Sequence, residues 1–412
     1  MRRALLAVSL FVLVAGCGSP GPVAAGTYKL YEATSARTGQ TVAVIDTHTK
    51  ATELRLPWGA PSPDGKHFYA LSSNTLQDID PRSGTVIRTL QVPGTFQMPP
   101  ATLGGVPGGL SQDGRYLVLQ APGLRTSSQM LLIDTQLFKV EKRIELNGKF
   151  EFDAVNNTGQ SVYLIQYPNP ADSYYHVRVY EVLAGRLGDY TVVDKGGPGE
   201  IMTGVRLSGV FSPDGQWLYS LYARGDKGAF VHALNLSSPF AFCLDLPGPG
   251  YSSNSNAFQW SLAMTPDGRH LYAANGPLGL VTQIDNLDGW NPSIVHNSTF
   301  PTIGKTANLL VKDVAAKEMG SHGAVVSHDG KTLVTVGMNG LIVIDTSSLK
   351  VRDRILTNWS VSSLAASSDG AMIYAVDNAG TIAEISMARA SVTATFDPAA
   401  GSPMGLLRVE PA

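Results

Sequence analysis

Cysteine is scarce in this chain: 412 residues contain two, Cys17 and Cys243, too few for a disulfide-stapled scaffold. Charge is scarce as well. Asp, Glu, Lys and Arg make up 16% of residues, against roughly 25% in ordinary soluble domains, and the formal net charge is −2. A chain so evenly balanced is not a strongly basic protein, which argues against nucleic acid as a partner bound through a phosphate-neutralising surface. No apolar run reaches the ~18 residues needed to span a bilayer as a helix. Metal and cofactor signatures are missing: there is no Cys-x-x-Cys-His, no phosphate-binding Gly-rich loop before a helix, no Gly-x-Ser-x-Gly elbow, and none of the eight histidines form a closely spaced pair. The expectation is therefore no metal and no cofactor. Hydrophobic residues, at 43%, are too many for a disordered chain.

What the chain has instead is turn residues. Gly and Pro total 68, about one residue in six. Many fall in one recurring motif: Ser62-Pro63-Asp64-Gly65, Ser111-Gln112-Asp113-Gly114, Asn156-Asn157-Thr158-Gly159, Ser212-Pro213-Asp214-Gly215, Thr265-Pro266-Asp267-Gly268, Ser327-His328-Asp329-Gly330 and Ser367-Ser368-Asp369-Gly370. Pro presets φ near −65°, Asp bonds nearby backbone, and Gly takes the left-handed conformation that closes a hairpin. An apolar, aromatic-rich strand follows each copy, as in Phe68-Tyr69-Ala70-Leu71 and Leu271-Tyr272-Ala273. A further strand often ends in Ile-Asp, as at Ile45-Asp46, Ile133-Asp134 and Ile344-Asp345, where the carboxylate suits a second turn. Four short strands per unit of about 50 residues is the pattern of a propeller blade.

The Ser-Pro-Asp-Gly hairpin, the aromatic strand and the Ile-Asp-Thr turn resemble the repeats of YVTN-type and TolB-type β-propellers, over residues 27–412. The resemblance implies an all-β propeller of four-stranded antiparallel blades. Trp-Asp dipeptides are absent, which sets the chain apart from true WD repeats. Seven motifs make seven units. Three strand candidates before the first motif (Tyr28–Glu32, Thr41–Asp46, Thr52–Leu56) and one at Met404–Val409 make a split eighth blade that closes the ring. Eight blades are favoured, with seven the alternative if the Asn157-Thr158-Gly159 copy belongs to an insertion.

The N-terminus reads as an address. Arg2-Arg3, the 11-residue apolar run Ala4–Val14 and Val14-Ala15-Gly16-Cys17 resemble a bacterial lipoprotein signal. The resemblance implies a signal peptide over 1–16, acylation of Cys17, a flexible tether over 17–26, and a propeller held by lipid at the extracytoplasmic face of a bacterial membrane. Cys243 is then left without a disulfide partner, and its apolar run Phe240–Leu244 suits a buried thiol.

In a propeller the Asp-Gly hairpins and Ile-Asp turns share one face. Connections between blades share the other. Here the second set is long and varied: Val92–Gly108, Val193–Gly209, Leu246–Trp260 and Thr299–Gly323, with Gln166–His176 and Tyr222–Ala229 inside blades. A ligand site is expected on that face, around the channel. Candidate residues there are Lys312, Asp313, Glu318, His322, Glu200, Arg206, Trp58, Trp260 and Trp359. Ala307–Met319 has helical composition and could plug or cover the channel. Arg224-Gly225-Asp226 reads as a polar turn. The expected function is a membrane-anchored module that binds an envelope protein or small ligand. The alternative is an enzyme of quinoprotein-dehydrogenase-like or lactonase-like type, with Glu200, Glu318 and His322 converging at the channel mouth.

Overall fold

A computed structural model describes residues 26–412 except 38, 104, 124–125, 170–173, 193–201, 288–290 and 303–322. Cys17 and its tether, Glu200, and the insertion carrying Lys312, Asp313, Glu318 and His322 therefore lie outside the described residues.

Each Ser/Thr-x-Asp-Gly motif closes the same hairpin by the same bonds. In the first copy Ser62 Oγ donates to Asp64 Oδ1 at 2.6 Å, and the His67 amide donates to Ser62 Oγ at 3.0 Å. Gly65 follows with φ 70° and its amide donates back to the Ser62 carbonyl. Ser212, Thr265, Ser327 and Ser367 repeat the pattern. Side chain and backbone thus satisfy one another inside the turn, which makes it autonomous. The Ile-Asp turns work similarly: Asp46 Oδ1 accepts from the His48 and Thr49 amides, and Asp134 from the Leu137 amide. In blades 2 and 6 a histidine beside the hairpin ties it to the third strand, His67 to Asp78 at 2.8 Å and His270 to Asp285 at 2.6 Å.

These turns build eight antiparallel sheets in a ring. Blade 1 takes Tyr28–Ala36, Gly39–Asp46 and Ala51–Pro57 from the start of the described chain, and Ser402–Pro411 from its end as the innermost strand. The split closure read from the sequence is therefore the one observed. Blade 2 runs from Gly59–Pro61 to Val86–Gln91, and blade 3 from Tyr116–Gln120 to Lys139–Asn147. Blade 4 begins with Lys149–Val155, Ser161–Tyr167 and Tyr174–Glu181, and its first hairpin is the Asn157-Thr158-Gly159 turn, so eight blades stand and seven do not. Blade 5 holds Val205–Phe211, Trp217–Ala223, Phe230–Asn235 and Ala241–Asp245. Blades 6, 7 and 8 begin at Ser261, Ala324 and Val361. There is no α-helix among the described residues, and no helix long and apolar enough to cross a membrane.

The apolar residues sort into eight clusters, one per seam between neighbouring blades. Tyr31 and Phe68 meet between blades 1 and 2, Tyr28 and Tyr374 between blades 8 and 1. A chain of this length needs no single large core, because each seam is a small one. Arg224 is buried and paired with Asp245 at 2.7 Å, so the Arg-Gly-Asp triplet has its arginine turned into the fold. Cys243 is half-buried in the outer strand of blade 5.

Candidate functional site

Blade 3 departs from the pattern at its innermost position. Leu110 meets Leu117 as a single bridge instead of a full strand. The chain just before it, rich in Pro and Gly, folds back on itself: the Ala101 amide donates to the Val106 carbonyl at 2.7 Å and the Gly108 amide to the Pro99 carbonyl at 2.8 Å. Its tip crosses the channel. The Leu103 amide donates to the Leu207 carbonyl of blade 5 at 3.0 Å, and Val106 approaches Gly405 of blade 1. Gly109 makes the reversal possible, since at φ 102° a Cβ there would lie 2.5 Å from the Val118 carbonyl oxygen. The described channel plug is thus residues 99–103 and 105–108, whereas the helical segment 307–319 expected from the sequence in that role lies outside the described residues.

Beside the plug, on the face of the long loops, blades 3, 4 and 5 enclose a cavity of about 550 Å³. The plug lines one wall with Ala101 and Thr102, next to Gln97 on its approach. Blade 4 supplies Lys149, Glu151, Tyr167 and Tyr175, and blade 5 supplies Arg206 and Tyr222. A second cavity of about 350 Å³ lies on the other side of Arg206 and reaches Asp153. Arg206 is in strand because the innermost strand of blade 5 starts at Val205, inside the range 193–209 that the sequence suggests as loop.

The polar groups here are close-set and incompletely paired. Arg206 Nη1 lies 3.3 Å from Asp153 Oδ1, an ion pair outside hydrogen-bond geometry. Lys149 lies 3.4 Å from Glu151 and 4.0 Å from the Tyr167 ring centre, and the Tyr167 hydroxyl donates to Glu151 at 3.0 Å. Tyr175 stacks on Tyr222 at 5.7 Å, and Tyr222 stacks on Phe230 at 5.1 Å. Among the described residues, buried polar atoms without a hydrogen-bond partner gather at this seam: both Asp153 oxygens, Arg206 Nε, Thr102 Oγ1, Ser220 Oγ and His232 Nδ1. The Tyr175 and Tyr222 hydroxyls interact with each other. Burial raises the Asp153 carboxyl above its usual range, with Arg206 opposing, and raises both tyrosines. Burial, reinforced by the Arg206 charge, lowers His232 to about 4 and keeps the imidazole neutral. Two backbone contacts fix the frame: the Phe152 amide donates to Gln120 Oε1, and Gln97 and Gln120 exchange backbone bonds.

Of the residues singled out from the sequence, Arg206 is in this site. Trp260 is buried at the seam of blades 5 and 6, packed with Leu207 and Tyr219. Trp359 packs at the seam of blades 7 and 8, and half-buried Trp58 precedes blade 2, so the three tryptophans are spread around the ring. Asp153, Glu151, Lys149, Tyr167, Tyr175 and Tyr222 are not legible as site residues in the sequence. They sit there in ordinary alternating strands, and only the polar residues within Phe150–Val155 hint at a strand with two uses. Among the described residues no group of His, Cys, Asp and Glu is arranged to hold a metal ion.

A larger depression of about 670 Å³ on the hairpin face, lined by Thr265, Asp267, His270, His328 and Asp329, is a weaker candidate. Its carboxylates are already bound by Thr265 and Ser327 hydroxyls and by backbone amides.

No family model matches the chain, and no curated protein matches it in sequence. Solved structures do match. One is apo AztD from Citrobacter koseri, 14% identical, covering 93% of this chain and 97% of that one with a TM-score of 0.56. A second AztD structure from Citrobacter koseri gives 0.55 at 13% identity over the same shares. A dihydro-heme d1 dehydrogenase, NirN, in complex with DHE gives 0.51 at 15% identity, covering 92% of this chain and 74% of that one. At these identities the likeness is one of fold: the chain is a β-propeller.

Proposed function

We propose that this propeller is a ligand-binding lipoprotein, tethered by an acylated Cys17 to the extracytoplasmic face of a bacterial membrane, with its binding site in the plugged cavity of blades 3 to 5. The observation that carries the binding role is the cluster of buried polar atoms without partners around Arg206. Each such atom costs on the order of 1–3 kcal/mol when unsatisfied, so a cluster of them calls for a partner, whether water, an ion or a ligand. The cavity volume suits a small molecule or a short segment of a partner. Its walls are rigid strands, which favours recognition over induced closure. The anchor rests on the order of features at the N-terminus: basic residues, a short apolar run, then Cys17 behind two small residues.

Two experiments test the two halves. Cys17→Ser should move the protein from the membrane to the soluble fraction and abolish incorporation of labelled fatty acid. A variant that stays membrane-bound removes the anchor. Native mass spectrometry of the full-length protein recovered from its own envelope should show a small bound mass that Arg206→Met loses. A bound mass that survives this change in a folded variant places the ligand elsewhere.

A further inference from the structure

We infer that the hairpin face of the propeller lies against the lipid bilayer, so that the plugged face, with its cavity, points away from the membrane; this rests on the acylation of Cys17 proposed above and adds to it the orientation of the ring.

The place where the chain enters the ring carries the inference. In the other blades a hairpin joins the innermost strand to the second. In blade 1 the innermost strand is the last of the chain and the second is the first, so the two ends stand where an eighth hairpin would be. Tyr28 pairs with Pro411, and the Ala412 amide donates to the Thr27 carbonyl at 2.9 Å. The hairpins on either side touch this point. The Tyr28 hydroxyl donates to Asp369 of blade 8 at 2.7 Å, and Glu410 packs against Gly65 of blade 2. Residues before Gly26 therefore depart from the hairpin face.

Chain length excludes the opposite orientation. Cys17 and Gly26 are nine positions apart, a span of at most about 32 Å when fully extended. To reach the plugged face, the chain must first pass the two outer strands of blade 1, roughly 10 Å at the usual strand spacing. It must then run the length of the nine-residue strand Tyr28–Ala36, about 30 Å. The path of about 40 Å exceeds its reach. An acyl group on Cys17 can enter a bilayer beneath the hairpins, and cannot enter one lying across the plug.

The exposed apolar side chains distinguish contact through the face from contact through the outer edge. Val86, Ile87 and Val392 start outer strands at the hairpin face, and Leu137 and Leu183 lie in the turns that precede such strands. Leu137 and Leu183 are 61% and 83% exposed, on adjacent blades 3 and 4. Blades 8 and 2 to 4, which carry these five residues, form one arc with blade 1, where the chain enters. Val295 and Tyr190 are exposed on the outside of blades 6 and 4, and Met338 on the plugged face of blade 7. Apolar side chains along the rim of a face favour contact with the boundary between headgroups and acyl chains.

The test uses the full-length protein, acylated in a bacterial host, purified in detergent and reconstituted on the outside of phosphatidylethanolamine–phosphatidylglycerol vesicles. A benzophenone amino acid is placed at Leu137, Leu183 or Met338 in turn. All three are exposed, so these variants fold, as unchanged thermal unfolding will verify. After illumination, mass spectrometry should find lipid adducts at Leu137 and Leu183 and none at Met338. Adducts at Met338 without adducts at the leucines overturn the orientation. Adducts at all three, or at none, overturn the contact, since the ring then tumbles on its anchor or stands off the bilayer. Labelled fatty acid is followed in the same samples, with Cys17→Ser as the control. A chain that takes up no fatty acid removes the anchor, and the orientation falls with it; a chain that takes it up while the adducts fail removes the orientation alone.

Discussion

Arg206 is the residue on which the site turns. It faces both cavities, pairs with buried Asp153 and adds to the forces that keep His232 neutral. Arg206→Met should therefore leave Asp153 buried without a counter-ion and cost on the order of 2–4 kcal/mol in chemical denaturation. The double variant Asp153→Asn/Arg206→Met should recover most of that loss, because it removes charge and counter-charge together. Glu32 makes a second prediction. It is fully buried in blade 1, its carboxyl oxygens lack partners, and burial raises it to about 8 against weak opposition from Arg55. Between its ordinary value near 4.5 and 8 the folded state holds a proton that the unfolded state has released. Stability therefore falls as pH rises through that window. His232, lowered to about 4, acts oppositely: the unfolded chain binds a proton below 6.5 that the folded state refuses, so stability falls as pH drops from 6.5 to 4. The two slopes offset one another in mildly acid solution, and the Glu32 slope remains from 6.5 to 8. Glu32→Gln should flatten that upper limb in a series of denaturation midpoints taken across pH. A limb unchanged in the variant would mean that Glu32 ionises freely.

At the scale of the element, the hairpins and the plug differ in what holds them. A hairpin such as Ser212–Gly215 satisfies itself: Ser212 Oγ donates to Asp214 and accepts from the Trp217 amide. Ser212→Ala removes both bonds and should cost on the order of 1–2 kcal/mol without altering the blade. The plug is held by a few backbone bonds to blades 3 and 5 and by the left-handed Gly109. Gly109→Ala sets a Cβ against the Val118 carbonyl and should cost on the order of 1–3 kcal/mol. The loss should be local. Limited proteolysis is expected to open residues 92–108 in this variant well before the blades unfold, and ligand binding should weaken with it. Simultaneous loss of plug and blades would show that the plug is part of the ring's cooperative unit.

At the scale of the whole molecule, the ring is closed by one strand. Ser402–Pro411 pairs with Tyr28–Ala36, the Leu406 amide donates to Ser363 Oγ of blade 8, and Arg408 donates to the Ser62 carbonyl of blade 2. Removing residues 403–412 takes away the innermost strand of blade 1 and exposes an unpaired edge. The truncated protein should unfold at a sharply lower temperature and aggregate. Unchanged thermal unfolding would mean that the eight seams hold without closure.

What the sequence by itself determined is whatever repeats. Ser, Asp and Gly at fixed offsets specify a turn through bonds within five residues, so seven hairpins, the blade count and even the split blade of Tyr28 and Met404 are legible in the order of residues alone. The site is not, apart from Arg206. Asp153 and Arg206 are 53 positions apart, and Tyr175 and Tyr222 are 47 apart in strands that read as ordinary alternating core. Only ring closure and the packing of blade 4 on blade 5 turn these residues into one seam. Only the reversal at Gly109 carries residues 99–103 and 105–108 into the channel beside them. Local bonds write the architecture into the chain. The cavity is made by contacts between blades, and those depend on faces that no single strand can specify.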